Sequence, residues 1–396
     1  MSGYQVFCGL DVGKEVHHAT ALDGQGRRLH DAPLAQDEAS IRGLLQQLGV
    51  RGEVLVVVDQ PNTIGALPVA VARAMGIEVA YLPGLAMRRI ADLHPGNAKT
   101  DARDAYVIAE AARSMPHTLR RVDLDDEALA ELNVLVGFDD DLAAEATRLA
   151  NRIRGLLTQT HPALERVLGP RVQTRAVLAL LARYGGAAGM RAAGRRRLLA
   201  CATKASRRGA DDLVAGIWTA LGEQTVVVPG TAAADTVLRA LARFLADILA
   251  QRAELARHVE QALDAHPLGS VLTSMPGIGV RTGARILLEV GDASSFPTAG
   301  HLASYAGLAP VTRRSGSSIR GEHPNRAGNK HLKNAMFMAA FAALRDPDSR
   351  AYYDRKRAAG KKHNAALICL ARRRCDVLYA MLRHHTPYQA TTPAAA

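Results

Sequence analysis

The chain has 396 residues and a formal net charge of +12 at pH 7, because 50 Lys and Arg outnumber 38 Asp and Glu. This length accommodates two or three domains with their own cores, and no apolar run reaches the roughly 18 residues of a membrane-spanning helix. The basic excess favours a polyanionic partner that is contacted mainly through phosphates, since 4% aromatic residues rule out widespread base stacking. Four dispersed cysteines and the lack of a recognisable signal peptide indicate a cytoplasmic protein.

Residues 1–120 are predicted to form an α/β domain. Apolar runs, the Asp23-Gly24 turn and helical spacing divide this part into strands at 4–10, 16–22, 27–34, 53–58 and 77–82 and helices at 41–48 and 64–75, with a helix or turn at 85–93. Three meandering strands followed by alternating helices and strands is the order of a ribonuclease-H-like domain.

Acidic residues stand at three separated points of this domain. Asp11 and Asp59 end two of the predicted strands, where open α/β sheets usually carry functional groups. Asp101 and Asp104 lie three residues apart at the start of a helix, so their carboxylates share one face. Converging carboxylates are what two-metal phosphoryl transfer requires. Each of these residues also has a purely structural interpretation. Asp11 would form a turn, Asp59 would cap a strand end, and Asp101 and Asp104 would interact with the positive end of the helix dipole.

Residues 121–265 are predicted to be helical. Between residues 236 and 263 no Gly or Pro interrupts the chain, and apolar residues recur at steps of three, four or seven: Leu241, Leu245, Ile248, Leu255, Val259 and Leu263. Arg252 interrupts this seam. The pattern predicts a coiled-coil or helical-hairpin arm, which either dimerises or packs within the chain.

Residues 266–390 form a third predicted domain, mostly helical. The Gly277-Ile278-Gly279 turn before an apolar helix resembles a helix-hairpin-helix contact to DNA, or is only a tight turn. A basic loop then carries Ser315 between Arg314 and Gly316. A serine there suits attack on a phosphate whose charge arginines neutralise, or the loop only binds phosphate.

Basic side chains are concentrated in the same domain. Residues 345–374 include ten Lys or Arg and three acidic residues. The candidates for nucleic-acid contact are Arg313, Arg314, Arg320, Lys330, Lys333, Arg355, Lys356, Arg357, Lys361, Lys362, Arg372, Arg373 and Arg374. The alternative for the run from 355 onwards is a solvated helix face. Tyr352 and Tyr353 suit packing better than nucleophilic attack.

Four motifs occur in one order that resembles the DEDD transposases of insertion sequences, the bridge-RNA-guided recombinase family. They are Asp11-Val12-Gly13-Lys14, Val56-Val57-Val58-Asp59, Lys99-Thr100-Asp101-Ala102-Arg103-Asp104-Ala105, and the segment from Pro276 to Leu332. The resemblance implies a RuvC-like N-terminal domain, a helical arm and a C-terminal transposase domain. It implies the acidic residues Asp11, Asp59, Asp101 and Asp104 and the nucleophile Ser315, although the second acidic position is usually Glu and Ser317 and Ser318 lie close to the serine.

The activity that this resemblance implies is excision and insertion of a mobile element in bacterial nucleoid DNA. Carboxylate-bound Mg²⁺, two ions with Mn²⁺ as a substitute, would activate the serine, which becomes joined to DNA before strands exchange through a Holliday-type junction. Donor and target are double-stranded DNA, a structured guide RNA pairs with both, and the serine meets the acidic site between subunits of a homodimer or tetramer.

Three other functions fit parts of the sequence. A junction-resolving nuclease would use the same carboxylates with water and no serine. An actin-like ATPase or sugar kinase would use Asp11-Val12-Gly13 as a phosphate loop, but the second Asp-x-Gly turn that such enzymes need is not found at a suitable place. A regulator derived from a transposase would bind nucleic acid without catalysis.

Overall fold

The computed structural model describes residues 3–61, 64–94, 100–121, 127–315, 319–323, 325 and 327–390. The chain divides into two compact units, Met1–Ala130 and Glu131–Ala396. The first break falls shortly after the predicted boundary between residues 120 and 121. The predicted boundary between residues 265 and 266 lies inside the second unit.

The first unit is an α/β unit, as predicted. Its strands are β1 (Val6–Asp11), β2 (Val16–Asp23), β3 (Arg28–Ala35), β4 (Val54–Val58), β5 (Glu78–Tyr81) and β6 (Arg120–Arg121). Its helices are α1 (Glu38–Gly49), α2 (Ala66–Ala74), α3 (Gly84–Ala91) and α4 (Asp101–Ser114). The strands and helices predicted from the sequence are confirmed to within a few residues at each end.

The six strands form one mixed sheet in the order β3-β2-β1-β4-β5-β6. β1, β2 and β3 pair antiparallel, whereas β1, β4 and β5 run parallel to one another. Parallel neighbours need crossover connections, which α1 and α2 provide here. In the register of β1 with β4, Leu10 lies opposite Val58. The residues that follow this pair therefore emerge side by side at one edge of the sheet.

Helices cover both faces of this sheet, and the buried strand β4 shows the two layers. Val56 and Val58 belong to a core cluster that includes residues of α1 and α2, while Leu55 and Val57 pack with residues of α4 on the opposite face. Burying a Val or Leu side chain stabilises a fold by about 1.5–3 kcal/mol. An uninterrupted apolar strand is what a sheet covered on both sides requires.

The rest of the chain is mainly helical, which agrees with the prediction. Its helices are α5 (Glu127–Thr160), α6 (Pro162–Leu168), α7 (Arg175–Tyr184), α8 (Ala187–Ala205), α9 (Ala210–Glu223), α10 (Thr231–Ala265), α11 (Gly269–Thr273), α12 (Val280–Val290), α13 (Ala299–Tyr305), α14 (Lys330–Ala342), α15 (Pro347–Ala358) and α16 (His363–His384). The antiparallel strands β7 (Val311–Ser315) and β8 (Ile319–His323) form a hairpin between α13 and α14.

The predicted arm is the long helix α10. Leu241 and Leu245 of its apolar seam lie in a core cluster that includes residues of α7, α8 and α9. Arg252, which interrupts the seam, donates two hydrogen bonds to Asp139 of α5 at 2.8 and 3.0 Å. This part of the seam therefore packs within the chain, the second of the two alternatives, while dimerisation stays a prediction. Over the described residues, none of the helices is sufficiently long and apolar to span a bilayer.

Candidate active site

Two of the predicted carboxylates lie on neighbouring strands of the first unit. Asp11 is the last residue of β1, and Asp59 directly follows β4. Because the two strands are parallel and Leu10 is paired with Val58, Asp11 and Asp59 lie at the same carboxyl-terminal edge of the sheet. Both residues are half-buried. This is the edge at which open α/β sheets place ligands.

The other two carboxylates are in the first turn of α4. The Thr100 side chain caps this helix by accepting a hydrogen bond from the backbone nitrogen of Arg103 at 3.3 Å. The Arg103 guanidinium in turn donates to the carbonyl oxygen of His94 at 3.0 Å. Asp101 is exposed and Asp104 is half-buried. The motif that contains both carboxylates thus supplies its own cap and an arginine that fixes the helix start.

Gly9 of β1 determines how closely α4 approaches the sheet. A Cβ atom on Gly9 would lie 2.4 Å from the carbonyl oxygen of Ala105 and 2.4 Å from the backbone nitrogen of Ala109. No side chain fits in that space, so only glycine lets the helix backbone cross the strand here. Gly9 thereby brings the carboxylates of α4 towards those of the strands.

The turn after β1 is also tightly fixed. A Cβ atom on Gly13 would lie 2.0 Å from the carbonyl oxygen of Val16. The Gly13 backbone N–H donates to Nδ1 of His17 at 3.1 Å, and Nε2 of His17 contacts the side chain of Gln36. Burial lowers the pKa of His17, which favours the neutral ring that this acceptor role requires. These contacts fix the backbone immediately after Asp11.

The carboxylate of Asp59 lies in an unfavourable electrostatic environment. Its Oδ1 atom is buried and accepts no hydrogen bond from the described part of the chain. Burial raises the pKa of Asp59; hydrogen bonds from the Gln60 side chain and from the backbone of Asp59 and Val12 offset part of this increase, and the negative charge of Asp104 adds to it. Asp104 is therefore close enough to Asp59 for their charges to interact. A buried carboxylate oxygen without a partner, next to a second carboxylate, is an arrangement that a cation stabilises.

The four carboxylates do not form a compact set of metal ligands in this structure. Among the described residues, no three His, Cys, Asp or Glu side chains are close enough together to hold a metal ion. The donor set nevertheless suits Mg²⁺, because hard cations prefer carboxylate oxygens and Mg²⁺ is commonly bound through only one or two of them. The unpartnered Oδ1 of Asp59 gives such an ion a ligand that needs no other bond to be broken.

Ser315 lies at the tip of the β7–β8 hairpin in the second unit. It is the last residue of β7 and pairs with Ile319, the first residue of β8. The side chains of Arg313, Arg314, Ser315 and Arg320 lie outside the described part of the structure, as do Ser317 and Ser318 entirely. The choice among the three serines therefore stays a prediction.

The basic residues that were predicted to contact nucleic acid lie in different environments. Exposed or partly exposed positions are Lys330, Arg355, Lys356, Arg357, Lys361, Lys362, Arg372 and Arg373. Arg372 is paired with Asp376. Three of the others surround the ring of Tyr352, with the Arg355, Lys356 and Arg373 cations 5.7, 5.3 and 5.0 Å from its centroid. Tyr352 thus gathers positive charge from α15 and α16 on one surface, a role that the sequence did not suggest.

The prediction for Arg374 is wrong. This residue is only 5% exposed, and its guanidinium donates to the carbonyl oxygen of Pro276 and, at 3.4 Å, to the Ser349 hydroxyl. Burial lowers its pKa. On α16 the position of Arg374 lies on the buried face of the helix, together with Leu370, Ala371 and Cys375. Lys333 is also used internally, since its Nζ donates to the carbonyl oxygen of Asn325 at 2.9 Å.

Comparison with known proteins gives two family matches and several full-length relatives. A DEDD-type transposase profile matches residues 8–162, and a profile described as the IS116/IS110/IS902 transposase family matches residues 269–354. The 43.6 kDa protein of insertion element IS110 from Streptomyces coelicolor is 59% identical over 391 residues, which cover 98% of this chain and 96% of that protein. The 42 kDa protein of insertion element IS900 from Mycobacterium paratuberculosis is 37% identical over 401 residues, 99% of each chain.

A shorter similarity concerns a protein named for DNA inversion. The pilin gene-inverting protein of Moraxella bovis is 38% identical over 122 residues, which cover 30% of this chain and 38% of that protein. The first family match contains Asp11, Asp59, Asp101 and Asp104, and the second contains the hairpin with Ser315. The chain therefore belongs to the IS116/IS110/IS902 family of transposases, enzymes that recombine DNA.

Proposed function

We propose that this transposase excises and inserts its element by a magnesium-dependent strand exchange in which Ser315 is the nucleophile. The main support is the register of β1 with β4, which sets Asp11 beside Asp59, together with the influence of Asp104 on the pKa of Asp59. The strand order, three antiparallel strands joined to parallel strands through helices, supports a ribonuclease-H-like, RuvC-like first unit.

In this proposal Asp11, Asp59, Asp101 and Asp104 would hold two Mg²⁺ ions, for which Mn²⁺ could substitute. When bound, Mg²⁺ lowers the pKa of an attacking hydroxyl and stabilises a leaving oxygen. The unpartnered Oδ1 of Asp59 and the like charge of Asp104 fit such an ion.

The proposed chemical step is attack of Ser315 Oγ on a DNA phosphorus. A bond from Oγ to phosphorus forms as the bond to a deoxyribose oxygen breaks; the serine loses its proton and the leaving oxygen gains one. Arg313, Arg314 and Arg320 would neutralise charge on the phosphate. The resulting covalent link conserves the energy of the phosphodiester for rejoining.

We further propose that a structured guide RNA selects donor and target DNA and that the protein acts as a homodimer or tetramer. The basic, aromatic-poor composition and the cations around Tyr352 support binding to nucleic-acid backbones rather than reading of bases. Sequence choice would then come mainly from base pairing, as in other RNA-guided systems.

The test is detection of a covalent protein–DNA adduct. Purified protein is incubated with the junction DNA of its element, the flanking RNA and Mg²⁺, and a denaturing gel is probed for DNA that migrates with protein. We expect an adduct with the wild type and with the control variants Ser317→Ala and Ser318→Ala, and none with Ser315→Ala.

Two outcomes would contradict the proposal. If Ser315→Ala still cuts DNA and the wild type forms no adduct, the enzyme is a nuclease that uses water. If the wild type binds DNA and RNA but neither cuts nor forms an adduct, the protein is a regulator without catalytic activity.

A further inference from the structure

The chain segments on either side of the β7–β8 hairpin are joined through Asn329, the residue before α14. Its Oδ1 accepts a hydrogen bond from the backbone nitrogen of Leu332 at 2.9 Å and so caps α14. Its Nδ2 donates to Glu289 of α12 and, at 2.8 Å, to the Tyr305 hydroxyl at the end of α13. One amide thus joins the ends of three helices.

The backbone closes the same junction. The Asn329 N–H donates to the carbonyl oxygen of Tyr305 at 2.7 Å, which links the two chain segments from which the hairpin emerges. Gly307 and Gly328 allow this close approach: a Cβ atom on Gly307 would lie 2.5 Å from the carbonyl oxygen of Ala327, and one on Gly328 would lie 2.7 Å from the Gly307 nitrogen. Both glycines also have positive φ angles, 65° and 105°.

Glu289 is itself held in place. Its Oε1 lies 3.5 Å from Nη1 of Arg285, and Nη2 of Arg285 bonds to Asp140 of α5. The side chains of Arg285 and Glu289 are 18% and 17% exposed, so the contact between them is largely shielded from water, whereas the Asp140 side chain is 51% exposed. Charged hydrogen bonds in such surroundings are stronger and more sharply oriented than those on the surface.

We infer that Asn329, held by Glu289 and Tyr305, is a positioning residue that fixes the direction of the serine-bearing hairpin. The chain enters the hairpin after α13 and leaves it before α14; Asn329 bonds to Tyr305 at the end of α13 and caps the start of α14. A displacement of about 1 Å at a nucleophile can lower a rate by about 100-fold. This inference rests on the proposed role of Ser315.

The test exchanges the polar groups of one contact. Asn329→Asp keeps an oxygen that caps α14 but replaces the donor to Glu289 with a like charge. Glu289→Gln supplies a new donor, so the double variant Glu289→Gln/Asn329→Asp restores the hydrogen bond with its polarity reversed. Asn334→Asp is the matched control, because it adds the same charge at an exposed position of α14.

Adduct formation and DNA binding are measured separately, well below the Tm of each variant. We expect Asn329→Asp to lower the rate of adduct formation by about 100-fold with DNA affinity close to that of Asn334→Asp. The double variant should recover to within about 5-fold of the wild type, which a general loss of fold stability would not produce.

The inference is overturned if Asn329→Asp matches Asn334→Asp in rate, or if the double variant is no faster than Asn329→Asp. These outcomes differ from a failure of the proposed function. If Ser315→Ala still forms the adduct, Ser315 is not the nucleophile and the proposed function fails. If Ser315→Ala forms no adduct but Asn329→Asp forms it at the normal rate, only the positioning role of Asn329 is excluded.

Discussion

At the scale of single residues, Asp59 combines a cost to folding with a role in the proposed chemistry. Its Oδ1 is buried without a hydrogen bond from the described residues, and burial and Asp104 raise its pKa. Groups whose ionised form is disfavoured by the fold are frequent at functional sites. A residue kept only for stability would not be expected in this environment.

We predict that Asp59→Asn abolishes strand exchange and stabilises the metal-free protein. A carboxyl group whose pKa is higher in the folded state than in the unfolded state opposes folding once it is ionised, so the cost is present at pH 7 and disappears as the pH falls through the raised pKa towards 3.8. Scanning calorimetry in EDTA should therefore show a Tm about 2 °C or more above the wild type at pH 7, with the difference shrinking towards pH 4. Equal Tm values at pH 7 would contradict this explanation; Asp92→Asn, at an exposed aspartate, is the control.

We predict that Gly9→Ala lowers the free energy of unfolding by about 1–3 kcal/mol, the usual cost of overpacking. The added methyl would meet backbone atoms of α4, so the helix and its two carboxylates must move away from β1. Strand exchange should fall by at least about 10-fold for a small displacement of the carboxylates. Urea denaturation and the adduct assay measure the two effects.

The control for Gly9→Ala is Gly43→Ala in α1. Gly43 is exposed, and a Cβ atom added there would have no neighbouring atom within 4 Å, so alanine should stabilise the helix by about 0.5–1 kcal/mol. If both glycine variants behave alike, close approach of α4 is not what Gly9 provides.

The carboxylates could be predicted from the sequence because strand ends and helix starts are local features. Asp11 follows an apolar run, and Asp101 and Asp104 follow a capping Thr100. The role of Gly9 could not be predicted, because it depends on which distant helix crosses the strand. A glycine inside a strand pattern is nevertheless a signal of close backbone approach.

At the scale of elements, α10 shows how one helix pattern is compatible with two structures. Its apolar seam predicted a coiled-coil arm, and the helix itself is confirmed. Periodicity specifies which face is apolar but not what covers it. Here α7 and α12 contact α10 within the same unit, and Arg252 crosses to Asp139 of α5.

We predict that Arg252→Ala lowers the free energy of unfolding by about 2–4 kcal/mol, because it leaves the carboxylate of Asp139 with one fewer partner in a shielded position. The two side chains are 21% and 12% exposed. Arg281, 3.3 Å from the same carboxylate, limits the loss.

The matched control for Arg252→Ala is Arg257→Ala. Arg257 lies on the same helix and is paired with the exposed Glu254, so its loss should leave the free energy of unfolding nearly unchanged. Chemical denaturation of both variants gives the comparison. Equal effects would mean that the Arg252–Asp139 pair does not stabilise the packing of α5 on α10.

At the scale of the whole molecule, the net charge of +12 indicated a polyanionic partner, but only the structure shows which cations are available to it. Arg374 is buried, while Arg355, Lys356 and Arg373 converge on Tyr352. Sequence proximity grouped Arg372, Arg373 and Arg374, whereas the helix turns them towards different surroundings.

We predict that the triple variant Arg355→Ala/Lys356→Ala/Arg373→Ala weakens DNA binding and reduces the slope of log affinity against log salt concentration. Each lost phosphate contact should lower the slope by about 0.9, so the triple variant should lose about 2–3 units. Fluorescence anisotropy over a salt series measures the slope. The control is Arg350→Ala, which should leave the slope nearly unchanged because the charge of Arg350 is paired with Asp354. An unchanged slope in the triple variant would exclude the surface around Tyr352 from the DNA interface.

The most direct measurement for the whole account is binding of Mn²⁺ by the purified protein, followed by electron paramagnetic resonance. We expect the wild type and Asp92→Asn to bind Mn²⁺, and Asp11→Asn, Asp59→Asn and Asp104→Asn each to lose at least one ion or about 10-fold or more in affinity. Affinity should also fall as the pH is lowered, because protons compete with the ion for the carboxylate of Asp59, whose pKa is raised by burial. Binding by all three site variants that equals the wild type would contradict a metal site at this edge of the sheet.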